Sequence, residues 1–90
     1  MRFYIGKFKR SDNADYDAYE DQFMRDQLGE SLISDMLKYS NRAWKTYVNS
    51  EAAYYLYVEV YCEIDVEKHA TWFQLKYPSV KPVNTDFAQN

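Results

Sequence analysis

The chain has 90 residues, 47% of them hydrophobic and 19% aromatic, with a formal net charge of −3 and a pI of about 5.0. That length allows one small domain with a limited core, and that apolar content excludes a wholly disordered chain. Net negative charge weighs against duplex nucleic acid, whose binding rests on phosphate neutralisation; a single cysteine excludes an intrachain disulfide; and no apolar run reaches the roughly 18 residues of a membrane span, so the expected location is cytoplasmic with no membrane contact.

Residues 2–9 read as a strand, with Phe3 and Ile5 toward one side and Tyr4 and Phe8 toward the other. Gly6 is a candidate bulge. Ser11, Asp12 and Asn13 form a turn and capping signal, and a helix is expected from about Ala14, with Tyr16, Tyr19 and Phe23 at helical spacing and Met24 beside them. Leu32, Ile33, Met36 and Leu37 form a second stripe that does not continue the first, so a kink or a break is expected near Gly29, leaving open whether residues 14–39 form one helix or two.

Residues 42–48 alternate, Trp44, Thr46 and Val48 opposing Ala43, Lys45 and Tyr47. A turn at Asn49, Ser50 and Glu51 leads into the longest strand pattern of the chain, residues 53–64. Leu56, Val58, Val60, Cys62 and Ile64 fall on one side of it, Tyr55, Tyr57, Glu59, Tyr61 and Glu63 on the other. The aliphatic set is a core face, in which Cys62 acts as a small hydrophobe. Asp65 is the expected cap of a helix bearing Val66, Ala70, Phe73 and Tyr77 on one stripe, and Pro78 stops it. Val80 and Val83 allow a short last strand, held to a sheet edge by Pro82.

Strand, helix, strand, strand, helix, strand, with a hairpin in the middle, is the order of the ferredoxin-like plait (βαββαβ). The expected fold is therefore α+β: a four-stranded antiparallel sheet with the helices on one face. It should occupy residues 1–84, leaving 85–90 as a frayed tail in which Phe87 could serve as an anchor. The sheet's other face is then open. It would collect Tyr4, Phe8, Tyr47, Tyr55, Tyr57 and Tyr61 with Lys45, Glu59 and Glu63. Each large aromatic offers about 150–250 Å² to a partner, and such a patch would reach or exceed the roughly 300–600 Å² of the largest patch on a typical monomer. A second contact could come from the acidic run Asp12, Asp15, Asp17, Glu20 and Asp21; the simpler reading of that run is a solvated helix face.

Two family resemblances touch this face. Phe3-Tyr4-Ile5-Gly6-Lys7-Phe8 resembles the first-strand motif of the RNA recognition motif, and Tyr55-Leu56-Tyr57-Val58 resembles part of its third-strand motif. That resemblance implies base stacking on Tyr4, Tyr55 and Tyr57. The chain departs from the pattern at Ala53 and Tyr54, where the family has a basic residue and glycine, and Glu59 and Glu63 on the same face would repel phosphates. Glu59-Val60-Tyr61 followed by a helix carrying His69 is similar to a segment of the small monooxygenase-like members of the dimeric α+β barrel group. That implies a homodimer packed sheet to sheet around Tyr55, Tyr57, Glu59 and Tyr61.

Chemistry-bearing patterns are sparse. The sequence has no glycine-rich phosphate loop and no metal-ligand spacing, so no cofactor or metal is expected. His69, the only histidine, reads as a packing or surface residue. Glu59 and Glu63 would lie about 6.5–7 Å apart along the strand, a separation open to an acid/base pair and equally to two surface acids. The expected function is a small non-enzymatic protein-interaction module, of the regulator or inhibitor type. It would act through Tyr4, Tyr47, Tyr55, Tyr57, Glu59, Tyr61 and Glu63, on another protein or on a second copy of itself. Single-stranded nucleic-acid binding through the same face, or a small homodimeric barrel enzyme or ligand carrier, are the alternatives.

Overall fold

The computed structural model describes residues 1–11, 16–49 and 55–83, and the side chains of 1–10, 19–48 and 57–83. Among the described residues seven elements follow one another: β1 (Arg2–Ser11), α1 (Tyr16–Leu28), α2 (Glu30–Tyr39), β2 (Arg42–Asn49), β3 (Tyr55–Glu63), α3 (Glu67–Lys76) and β4 (Lys81–Val83). The strands form one sheet in the order β2-β3-β1-β4, and each neighbouring pair is antiparallel. The fold is α+β, with three helices and an open four-stranded antiparallel sheet. Asn49, expected to open the turn, is the last residue of β2, while Ser50 and Glu51, the Leu56 side chain and the C-terminal tail with its expected anchor Phe87 lie outside the described residues.

One face of the sheet and all three helices supply a single core. Phe3, Ile5 and Phe8 from β1 and Val58, Val60 and Cys62 from β3 pack with Met24, Leu32, Ile33, Met36, Ala70 and Phe73. Phe3 and Phe73 meet with ring centroids 5.8 Å apart. Burial at this density is the dominant favourable term of folding.

Phe8 sits on the core face with Phe3 and Ile5, at 1% exposure, not on the opposite face with Tyr4. The register of β1 against β3 slips between Tyr4 and Gly6. One extra residue in a strand reverses the facing of everything after it. Gly6 takes φ 155° there, and a Cβ on it would come within 2.8 Å of Leu28 Cδ2.

The helical region breaks at Gly29, whose φ of 107° lies where side-chain-bearing residues are strained. Arg25 bridges the break, bonding Asp21 (2.7 Å) on one side and Glu30 (2.8 Å) on the other. Of the expected stripe on α1, Phe23 and Met24 pack on the core together with Glu20 and Leu28, whereas Tyr19 is exposed; the Tyr16 side chain lies outside the described residues. On α2, Leu37 is exposed while Leu32, Ile33 and Met36 are buried.

Asp65 does not cap α3. Val66 holds that position without a side-chain cap and is itself exposed, while the Asp65 amide donates to Asn41 Oδ1 at 2.8 Å. The helix ends at Lys76, before Pro78. Asp35 of α2 accepts hydrogen bonds from Lys76 Nζ (2.9 Å) and the Tyr77 hydroxyl, tying α2 to the end of α3.

Candidate interaction face

The sheet face away from the helices is built as rows across β1, β3 and β2. Residues directly opposite in an antiparallel ladder point to the same side. The register gives Arg2, Glu63 and Arg42 in one row, Tyr4, Tyr61 and Trp44 in the next, then Lys7, Glu59 and Thr46, then Lys9, Tyr57 and Val48. Lys81 of β4 stands beside Tyr4.

The second row is an aromatic ladder. Tyr61 stacks on Trp44 (centroids 5.8 Å, planes 14° apart) and meets Tyr4 edge-on (5.3 Å, 61°). Flanked on both sides, Tyr61 is 6% exposed although it lies on the open face. Cations close the ends of the aromatic surface, with the Arg42 guanidinium 5.0 Å from the Trp44 ring and Lys7 Nζ 4.9 Å from the Tyr57 ring.

The two carboxylates have different surroundings. Glu63 accepts from Arg2 Nε at 2.8 Å and lies 3.5 Å from Arg42 Nε. The Arg2 hydrogen bond, with the charge of Arg42, holds its carboxyl below the usual value against the opposing effect of desolvation. Glu59 lies among phenols, with the Tyr61 hydroxyl 3.5 Å from Oε2. Burial pushes the Tyr4 and Tyr61 phenols up, and the negative charge of Glu59 adds to it. With Glu63 clamped by two arginines, the pair is not arranged to share a proton.

The structure brings Tyr4, Tyr57, Glu59, Tyr61 and Glu63 together. It does not place Tyr47 or Lys45 with them. Tyr47 stands opposite Val58 and Lys45 opposite Val60, which puts both on the helix side. Trp44, Thr46 and Val48 occupy the open face instead. Alternation in β2 revealed two sets, but only pairing with β3 decides which set faces the helices. The Tyr55 backbone lies in β3, and its side chain is outside the described residues.

The acidic run behaves differently again. Glu20 is 6% exposed. It accepts from Lys45 Nζ (2.8 Å), the Tyr47 hydroxyl (3.0 Å) and Arg10 Nη1, so it is an internal anchor and no part of an acidic surface. Asp21 is exposed and paired with Arg25. Asp12, Asp15 and the Asp17 side chain lie outside the described residues.

The open face carries more cations than carboxylates among its described residues. Among its described residues, Arg2, Lys7, Lys9, Arg42 and Lys81 stand against Glu59 and Glu63, a basic surface on a chain that is acidic overall. The only available sequence signal was the acid-free basic opening of residues 1–10. Among the described residues no group of three His, Cys, Asp or Glu is placed to hold a metal, and no helix is long and apolar enough to cross a membrane. No family model, curated protein or solved structure matches the chain.

Proposed function

We propose that the chain is a ferredoxin-like plait serving as a small protein-interaction module, of the regulator or inhibitor type, whose open sheet face contacts an acidic partner surface. The plait is supported by the strand order β2-β3-β1-β4, with helices joining β1 to β2 and β3 to β4. The interaction reading is carried by one observation. The Tyr4–Tyr61–Trp44 ladder and Tyr57 lie on the face away from the described helices and are rimmed by Arg2, Lys7, Lys9, Arg42 and Lys81. Aromatics and arginines concentrate the energy of protein interfaces, and a basic rim selects an acidic counterpart.

The same cation excess favours a second reading, single-stranded nucleic acid stacked on Tyr4 and Tyr57 with its phosphates on the lysines. It ranks second because Glu59 and Glu63 stand on the same face and would repel phosphates. Selection of displayed random peptides on the immobilised protein tests the first reading. It should return acidic sequences with interspersed apolar residues, whose binding falls at least tenfold in Tyr57→Ala and in Lys7→Glu. Fluorescence anisotropy with labelled oligouridine tests the second. Salt-sensitive oligonucleotide binding lost in Tyr57→Ala, with no peptide enrichment, would replace the first reading by the second.

A further inference from the structure

The two edges of the sheet are treated differently. At the β4 edge the strand is three residues long and contains Pro82. Beyond its reach, the Gln27 side chain of α1 covers β1, accepting from the Lys9 amide (2.8 Å) and donating to the Lys9 carbonyl (2.7 Å). Short strands, proline and covering side chains are how sheets avoid pairing with other chains. At the other edge, β2 is eight residues long, pairs with β3 without a register shift, and contains neither proline nor glycine. Its one lysine, Lys45, is drawn back to Glu20 instead of projecting from the edge.

The facing of the β2 backbone follows from the ladder. Ile64 and Met1 exchange hydrogen bonds in both directions (2.9 and 2.8 Å), so the Ile64 main chain is turned to β1. Alternation then turns Glu63, Tyr61, Glu59 and Tyr57 toward β2, and their partners Arg42, Trp44, Thr46 and Val48 toward β3. The main-chain groups of Ala43, Lys45 and Tyr47 point out of the sheet.

We propose that β2 pairs antiparallel with β2 of a second copy, joining two four-stranded sheets into one of eight strands. The occupant is a second copy because this strand is complementary to itself. With the two-fold axis at Thr46, the two Thr46 side chains face each other. Trp44 of each copy then lies opposite Val48 of the other, and Lys45 opposite Tyr47. Aromatic against β-branched, and threonine against threonine, are favourable cross-strand pairs, and the outward-pointing groups of Lys45 and Tyr47 meet as a hydrogen-bonded pair. Beneath this edge lies an apolar cleft of about 410 Å³ floored by Met24, Met36, Ala43 and Val60, with the exposed Leu37 at its rim. Tyr47 of each chain lines this cleft and keeps its hydroxyl on Glu20 of the same chain. The pairing leaves the open face unoccupied, so it stands or falls separately from the function proposed above.

Light scattering across concentration, with substitutions at the axis, tests this. Wild type should move from the 10.8 kDa of one chain toward twice that mass as concentration rises. Thr46→Lys places two like charges across the axis while keeping a favourable Glu59 neighbour within the chain, and should stay monomeric; Val48→Lys, at an exposed position, should do the same. Thr46→Cys should form a disulfide-linked dimer in oxidised glutathione, because residues facing across a non-hydrogen-bonded pair have Cα atoms roughly 4.5 Å apart. Leu75→Cys, exposed on α3, should not. A monomer at every concentration, a dimer that survives both lysine variants, a dimer abolished instead by Tyr57→Ala, or equal cross-linking at both cysteines would each overturn the proposal.

Discussion

Tyr61 of β3 lies nearly parallel to Trp44 of β2, ring centroids 5.8 Å apart, and is sealed from solvent on the sheet face turned away from the described helices. The open side of the sheet thus has a small core of its own. Tyr4 closes it on one flank and Arg42 on the other. The contact also fixes the facing of β2, because Trp44 cannot meet Tyr61 unless Lys45 and Tyr47 turn to the helices.

The ring pair should be measurable as a coupling. In urea denaturation, Trp44→Ala and Tyr61→Ala should each destabilise. The double variant should lose less than the sum of the two, by about 0.5–1.5 kcal/mol, the usual worth of an aromatic pair beyond its buried area. Strict additivity would mean the rings are adjacent without interacting.

Gly6→Ala should destabilise by about 1–3 kcal/mol, chiefly through its backbone conformation. The Leu28 methyl that a new Cβ would approach is the end of a flexible side chain and can move aside. Adding Leu28→Ala should therefore not rescue the variant. Recovery of wild-type stability after correcting for Leu28→Ala alone would assign the cost to the contact instead.

Glu20 should give the fold an acid-sensitive component. Burial pushes its carboxyl up, but Lys45, Tyr47 and Arg10 outweigh that and leave it below the ordinary value. A carboxyl depressed in the folded state contributes stability above its unfolded value of about 4.3, and loses it as pH falls through the folded value. Glu20→Gln should cost about 1–3 kcal/mol at pH 7, as expected for hydrogen bonds to a charged group, and the gap to wild type should narrow by pH 3. A gap of equal size at both pH values would show that shape, not charge, is what the site needs.

Cys62 should be chemically silent until the chain unfolds. It is fully buried, and burial pushes its thiol up to about 12, so almost no thiolate exists at neutral pH. Labelling with a thiol-specific chromogenic disulfide should proceed only at the rate of opening and accelerate in urea. Rapid stoichiometric labelling of the native protein would contradict this placement.

Much of the architecture follows from local chemistry. Alternation in residues 53–64 separates an aliphatic side from an aromatic one, and the structure buries Val58, Val60, Cys62 and Ile64 as that pattern requires. Gly29, with no Cβ to strain, divides the helices, and Pro82, with no amide to donate, marks the short edge strand. These features depend on a residue and its immediate neighbours, so a single sequence carries them. What only the tertiary structure decided is the facing of each set. One bulge residue near Gly6 moved Phe8 into the core, the register with β3 sent Tyr47 and Lys45 to the helix side and Trp44 to the open one, and Arg10, Lys45 and Tyr47 drew Glu20 out of its acidic run. Each depends on a partner distant in the chain. A period of two names the members of a face, but which face is buried is set by pairing across strands.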